Sequence, residues 1–206
     1  TSIGSSAFYY CTSLTSVDIS DLSAWCKIGF GSDSANPLSN GVKLYLNGSE
    51  LTDITIPSDI TEIKAYAFRY CTSLTSITIP DSVTSIGKCA FYKCTSLTSI
   101  TIPDSVTSIG RSAFLDCTSL TSVNIGNGVT EIGEHAFYNC TSLKTVYCKP
   151  TTPPTGGEYM FYYNASGRRI FVPASDDDSI INAYKEADGW SYYADYIEEY
   201  DFSAQQ

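Results

Sequence analysis

Phe68, Phe91, Phe114 and Phe137 recur at a step of 23 residues, and so do Cys71, Cys94, Cys117 and Cys140 and Leu74, Leu97, Leu120 and Leu143. The unit reads C-T-S-L-T-S-I-T-I-P-D-S-V-T-S-I-G-x-x-A-F-x-x. An earlier copy begins at Ala7-Phe8, and a weaker one runs from Met160-Phe161 to Ile170 and Val172. Self-similarity at such a fixed period marks a solenoid, because one short unit cannot bury its own apolar face and needs a neighbour stacked on each side. Equivalent letters in successive units must then lie over one another.

Within one unit, Ile77 and Ile79 fall on one face of a short strand and Ser76 and Thr78 on the other. Pro80-Asp81-Ser82 is turn chemistry. Val83 and Ile86 resume an inward pattern, with Gly87 expected to supply a bend. Ala90-Phe91-x-x-Cys94 suits a single helical or 3-10 turn. Seven strand motifs follow, at 14–19, 51–56, 74–79, 97–102, 120–125, 143–148 and 167–172, for one parallel sheet about 30 Å across. The step from Leu14 to Leu51 exceeds the period, and residues 21–50 read as an insertion. Its Asn47-Gly48 is a hairpin signal, so a hairpin is expected to project from, or extend, one coil. The chain opens on Thr1-Ser2-Ile3-Gly4, which matches Thr84-Ser85-Ile86-Gly87, and shows no leader peptide. It is expected to continue upstream.

The expected fold is therefore a right-handed coil stack over residues 1–173, followed by an acidic, aromatic cap over 174–206. Residues 150–206 hold ten acids and three bases. Ser175 to Asp178 reads as a helix start, with Ile180, Ile181, Ala183, Tyr184 and Ala187 as the apolar stripe and Gly189 as the stop. Trp190, Tyr193, Tyr196 and Ile197 are left to cover the last coil, as a solenoid end requires.

The chain of 206 residues is 43% hydrophobic and 17% charged, enough for a sizeable core, and carries a net charge of −10. That balance excludes a phosphate-backbone binder. No run of 18 apolar residues is present, so no membrane-spanning helix is expected. His135 is the one histidine. It shares its repeat position with Tyr66, Cys89 and Ser112, which marks a neutral, solvent-facing site and not a catalytic base. With Glu131 and Glu134 it makes no hydrolase, and no P-loop, nucleophile elbow or dinucleotide fingerprint accompanies it. Asp176-Asp177-Asp178 reads as a solvated helix cap and not as a calcium loop. Five of the eight cysteines share one repeat position and Cys148 replaces a strand isoleucine, so these are read as small hydrophobes. Cys26 and Cys89 lie off that row and are the expected reactive thiols. With no C-x-x-C pair, zinc is not expected. No cofactor is implied.

The repeat C-x-x-L-x-x-I-x-I-P-x-x-V-x-x-I-G-x-x-A-F-x-x resembles the BspA-type leucine-rich repeat, and the match runs from Thr1 to about Val172. The ending Val172-Pro173-Ala174 followed by Asp188-Gly189-Trp190 is similar to arrays of that family. In place of the asparagine ladder of ordinary leucine-rich repeats, the position after the strand carries Ser82 or Ser105. The resemblance implies a curved solenoid, secreted or displayed at a bacterial cell surface, and a non-catalytic adhesion module. Host or bacterial surface proteins or glycans are the implied partners, with no nucleic acid. A monomer is expected. A structural spacer and a carbohydrate-binding accessory domain are the alternatives.

Two rows carry the candidate contacts. The residue after each core phenylalanine forms a flank of Tyr9, Arg69, Tyr92, Leu115, Tyr138 and Tyr162, mostly the amphipathic aromatics that favour protein interfaces. The alternative for this row is half-burial against the neighbouring turn. The outward row of the sheet is Asp18, Thr55, Thr78, Thr101, Asn124 and Tyr147, small and polar and suited to sugar-like or polyvalent contact.

Overall fold

A computed structural model describes residues 1–205. Each coil contributes to two parallel ladders, where one was expected. Asp53–Thr55 pairs with Ser76–Thr78, and Ser99–Ile102, Ser122–Ile125, Thr145–Cys148, Arg169–Pro173 and Ile197–Tyr200 form a five-stranded parallel sheet. The register is one repeat: Ile100 faces Val123, and Val123 faces Val146. The second sheet stacks five two-residue strands, Glu62–Ile63, Ser85–Ile86, Ser108–Ile109, Glu131–Ile132 and Thr155–Gly156. The middle three are the Val-x-x-Ile segments, Ile60-x-x-Ile63 takes that place in the first, and Thr155-Gly156 departs from the pattern. Between the ladders each proline closes a turn, with the Val83 amide donating to the Pro80 carbonyl at 3.0 Å.

The phenylalanines stand in file. Neighbouring rings of Phe68, Phe91, Phe114, Phe137 and Phe161 lie 5.1 to 5.6 Å apart and within 12° of parallel, and all five are fully buried. The first four backbone amides of the file each reach the next coil: Phe91 donates to Ala113 and Phe114 to Ala136, both at 2.8 Å. The corner is a chain of i to i+3 turns and not a helix. Cys89 and Lys93, like their counterparts in the other coils, sit at positive φ (53° and 58°), and two left-handed residues per coil interrupt any helical run. Gly87 has a different role from the bend expected of it. A Cβ there would lie 2.5 Å from the Ala65 nitrogen, so the glycine lets two coils approach.

The repeated polar letters also form ladders between coils. Thr75, Thr98 and Thr121 each donate a hydroxyl to the carbonyl one coil back, and Thr84, Thr107 and Thr130 do so on the second sheet. Ser82 and Ser105 bond to the Ile60 and Val83 carbonyls at 2.8 and 2.7 Å, so serine makes a hydrogen-bond ladder here. Cys94, Cys117 and Cys140 are buried, and each thiol donates to a phenylalanine carbonyl at 3.2 Å. Burial pushes the Cys71 and Cys148 thiols up to about 12. All eight cysteines are free thiols. Cys26 is not the reactive thiol expected of it. It is buried beside Asp59 and Asp21, and burial first, then those charges, raises its pKa to about 12. Cys89 is half-buried and also raised. The exposed cysteine is Cys11.

Residues 21–50 hold more than a hairpin. Ser2–Ile3 pairs in parallel with Gly29–Phe30, and Ser16–Ile19 with Lys43–Leu46, so a complete coil with different letters lies inside the insertion. The short helix Leu22–Cys26, N-capped by Asp21, replaces the proline turn. The hairpin signal also holds: Lys43–Leu46 turns through Asn47-Gly48 into Ser49–Glu50. Where this coil meets the regular array, Trp25 donates its indole N–H to the Ala67 carbonyl at 3.1 Å, and Asn36 donates to Tyr66 at 2.6 Å.

At the other end the helix Ser179–Glu186 forms as expected, with its start held from Ser175 to Asp178: Asp177 Oδ1 accepts the Ser179 amide at 3.1 Å and the Ser175 hydroxyl accepts the Ile180 amide at 3.3 Å. Trp190 and Tyr193 close on Phe161 at 6.0 and 5.7 Å. The strand Ile197–Tyr200 was not expected. It extends the sheet in parallel register beyond Arg169–Pro173.

Candidate binding surfaces

The flank is held in place by the phenylalanine beside each of its residues, whose ring is locked in the file. The expected row separates into groups. Tyr9 is exposed and meets Tyr10 at 4.2 Å. Arg69 is nearly covered: its guanidinium carbon lies 4.8 Å from the Tyr70 ring centre and 4.7 Å from that of Tyr92, and Nη1 bonds to Ser39 at 3.2 Å. Tyr92 is therefore half-buried between Arg69 and Lys93. Leu115 interrupts the aromatics, and beneath it Asp116 takes the Asn139 amide at 2.7 Å and stands 3.9 Å from Lys93.

Beyond that interruption the rings close up. Tyr138 stacks with Tyr162 at 6.1 Å and meets Tyr163 edge-on at 5.4 Å, and Tyr162 meets Tyr163 at 4.5 Å. His135, expected to stand apart in solvent, is half-buried and lies 5.1 Å from Tyr138 and 5.6 Å from Tyr159. Tyr159, Tyr162 and Tyr163 are 48, 44 and 58% exposed. Tyr159 and Tyr163 were missed by the sequence reading. Both occupy the left-handed positions of the last coil (each at φ 56°), where aromatics recur in some sister coils (Tyr10, Tyr66 and Tyr70) and polar residues or Cys89 stand in the others, so the row was passed over for the residue after each phenylalanine.

The sheet row is in register as expected: Thr55 faces Thr78, Thr101 faces Asn124, and Asn124 faces Tyr147. Asp18, Thr55, Thr78 and Thr101 are exposed, and Asp18 Oδ1 accepts the Gly48 amide at 3.1 Å. The row is not small and polar throughout. Tyr147 stacks on Phe171 at 5.2 Å and 18°, and Tyr200 and Phe202 close over them at 5.3 and 6.3 Å from Tyr147. Arg169 lies over Phe171 and pairs with Glu198. Both aromatic clusters gather towards the C-terminal end of the array.

Among the described residues no three His, Cys, Asp or Glu side chains converge to hold a metal ion, and no helix is long and apolar enough to cross a membrane. The sequence profile of the family described as BspA type Leucine rich repeat region matches in six copies, over residues 1–29 and 41–175. The chain belongs to the BspA-type leucine-rich repeat family. Residues 30–40, outside the match, lie in the coil hidden within the insertion. A comparison with curated protein sequences finds no match. Among solved structures this BspA-type chain is similar to the pneumococcal vaccine antigen PcpA (13% identity, TM-score 0.51), with 91% of this chain and 58% of that one aligned. The leucine-rich repeat protein of T. pallidum shows 24% identity over 70% of this chain and 82% of its own, with a TM-score of 0.49. A leucine rich cell surface protein of Faecalibacterium prausnitzii shows 23% identity over 89 and 79%, with a TM-score of 0.31. At these identities the PcpA likeness speaks to the fold alone.

Proposed function

We propose that this chain is a non-catalytic recognition module of an exported or surface-displayed protein, which binds protein partners through the aromatic flank of its C-terminal coils. The observation that carries the reading is the run of half-exposed rings from His135 to Tyr163, on a backbone whose polar letters are absorbed in ladders between coils. Tyrosine offers large contact area at small rotamer cost, and a rigid stack presents it already ordered. Repetition adds a second source of strength, because several weak contacts displayed together bind with high avidity.

Binding of the chain to an array of matrix proteins, plasma proteins and glycans, repeated with Tyr138→Ser and Tyr162→Ser together, tests this. Protein partners lost in the variant, with an unchanged melting temperature, support it. Partners retained by the variant remove the flank. No partner at all leaves the chain a spacer that projects other domains. The sheet row, in which exposed Thr78 and Thr101 lead through Asn124 to the half-buried Tyr147, favours one second reading, a carbohydrate-binding accessory module, since a ring beside hydroxyls and an amide suits a sugar. In that case glycans and not proteins would be retained on the array, and loss on Tyr147→Ser would place them.

A further inference from the structure

The middle and C-terminal stretches of the flank treat their aromatic faces differently. In the coils from Tyr66 to Lys93 each tyrosine ring has a cation of the chain beside it: Arg69 lies between Tyr70 and Tyr92, Lys93 stands 5.4 and 5.6 Å from the same two rings, and Lys88 lies 5.8 Å from Tyr66. At the cap Arg168 lies over Tyr196 at 4.2 Å. Among the described residues no arginine or lysine stands over Tyr138, Tyr159, Tyr162 or Tyr163.

These unserved faces are arranged as a receptacle. His135, Tyr138, Tyr162 and Tyr159 close a circuit of four rings, with centres 5.1, 6.1, 5.4 and 5.6 Å apart in turn. Two of the four neighbouring pairs cross steeply, at 71° for His135 with Tyr138 and for Tyr159 with Tyr162, and the other two are stacked at 23° and 26°, so the rings line a depression of about 270 Å³. The surroundings are acidic. Glu134 Oε1 lies 3.1 Å from His135 Nδ1 and is shared with Arg111, and Glu158 is exposed beside Tyr159. The electronegative ring faces and the nearby carboxylates attract the same sign of charge.

We propose that this four-ring depression receives a cationic side chain of a protein partner, arginine above lysine, which takes the place that Arg69 holds between Tyr70 and Tyr92. A guanidinium is flat and weakly hydrated and stacks on a ring while keeping its edge donors for carboxylates. The proposal rests on the reading of the chain as a protein-binding module and names the chemistry that the flank selects: an exposed basic segment on the partner.

The test uses the whole chain and three fluorescent Gly/Ser peptides that differ at three positions, which hold arginine, its uncharged analogue citrulline, or glutamate. The arginine peptide is expected to bind about tenfold or more tightly than the citrulline peptide. Tyr138→Leu with Tyr162→Leu keeps apolar bulk but removes the ring faces, and should abolish that preference. Tyr138→Phe with Tyr162→Phe should keep it within about threefold. A chain of net charge −10 attracts any basic peptide, so Asp176→Asn, Asp177→Asn and Asp178→Asn together serve as control and should leave the arginine-to-citrulline ratio unchanged. Upfield ring-current shifts of the arginine side-chain protons in the parent complex give a readout that needs no variant. Equal binding of arginine and citrulline peptides, an undiminished preference in the leucine variant, or absent ring-current shifts would each overturn the proposal. Those failures leave the array result standing, whereas an array without protein partners removes the wider function and leaves the peptide result intact.

Discussion

Phe137 and Tyr138 are adjacent in the chain and belong to regions under opposite constraints. The phenylalanine file admits one letter in five successive coils, because each ring stacks on the next at 5.1 to 5.6 Å and is sealed from water. One residue further on, the flank admits Arg69, Tyr92, Leu115, Tyr138 and Tyr162, because its side chains have a neighbour on one side and solvent on the other. The contrast separates what holds the solenoid up from what it displays. Interchangeability among coils marks a display surface, and identity among coils marks a stacking requirement.

The widest separation between the two regions is expected at alkaline pH. The thiols of Cys71, Cys94, Cys117, Cys140 and Cys148 lie on the buried side, and burial raises all five. A thiol whose pKa is higher in the folded state than in the unfolded state keeps its proton on folding, so the unfolded chain binds fewer protons and stability falls as pH rises. The fall begins near the ordinary thiol value of 9 and continues to about 12 for Cys71 and Cys148. Each thiol costs about 1.4 kcal/mol per pH unit in that window, so five approach about 7 kcal/mol per unit, comparable to a whole domain's stability. Thermal melting from pH 7 to 11 is expected to be flat to about pH 9 and then to collapse. A flat profile to pH 11 would mean that the cysteine row is open to water. The next effect is local: Phe114→Ala empties the middle of the file and should cost about 3–5 kcal/mol in denaturant unfolding, against less than about 1 kcal/mol for Tyr138→Ala. Similar costs at the two positions would erase the distinction between file and flank.

How much was legible in the sequence follows from the same contrast. The file, the thiol row and the strand faces were readable because stacking forces the same letter into every coil. The coil inside residues 21–50 was not, because Trp25, Ala35 and Leu38 fill its core without the spacing of the 23-residue unit, and helix Leu22–Cys26 stands where the others have proline. The second sheet was hidden by the brevity of its strands: two residues such as Ser85-Ile86 give no alternation to detect. The flank was located but its grouping was not. Three of the five rings in the cluster come from His135, Tyr159 and Tyr163, whose left-handed backbone sites hold aromatics in some coils and polar residues in others. The strand Ile197–Tyr200 was masked because Ile197 grouped with Trp190, Tyr193 and Tyr196 as cover for the last coil, and Ile-Glu-Glu-Tyr carries no apolar alternation.

A smaller effect probes the spacing that makes the file possible. In Gly110→Ala the new Cβ would meet the Lys88 nitrogen at 2.6 Å and the Gly87 carbonyl carbon at 2.7 Å, both backbone atoms that cannot swing aside. The coils must part locally, at a cost of about 1–3 kcal/mol. Calorimetry should show a lower melting temperature, and an unshifted one would mean that the coils slide freely past each other.

The smallest predicted change tests how the file ends. Inside the array the Phe137 amide donates to the Met160 carbonyl at 2.8 Å, supplied by the next coil. Phe161 has a cap beside it instead, and its amide donates to the Tyr193 hydroxyl at 3.1 Å, while Tyr184 and Trp190 donate to the Pro150 and Pro154 carbonyls at 2.8 and 2.7 Å. Side-chain atoms thus stand in for the backbone of an absent coil. Tyr193→Phe keeps the ring against Phe161 and removes only the acceptor, leaving a buried N–H unpaired at a cost of about 1 kcal/mol. Hydrogen exchange at the Phe161 amide should quicken while Phe137 stays protected. Unchanged exchange at Phe161 would show that the ring alone seals the file, and that the hydroxyl is not what lets the stacking stop.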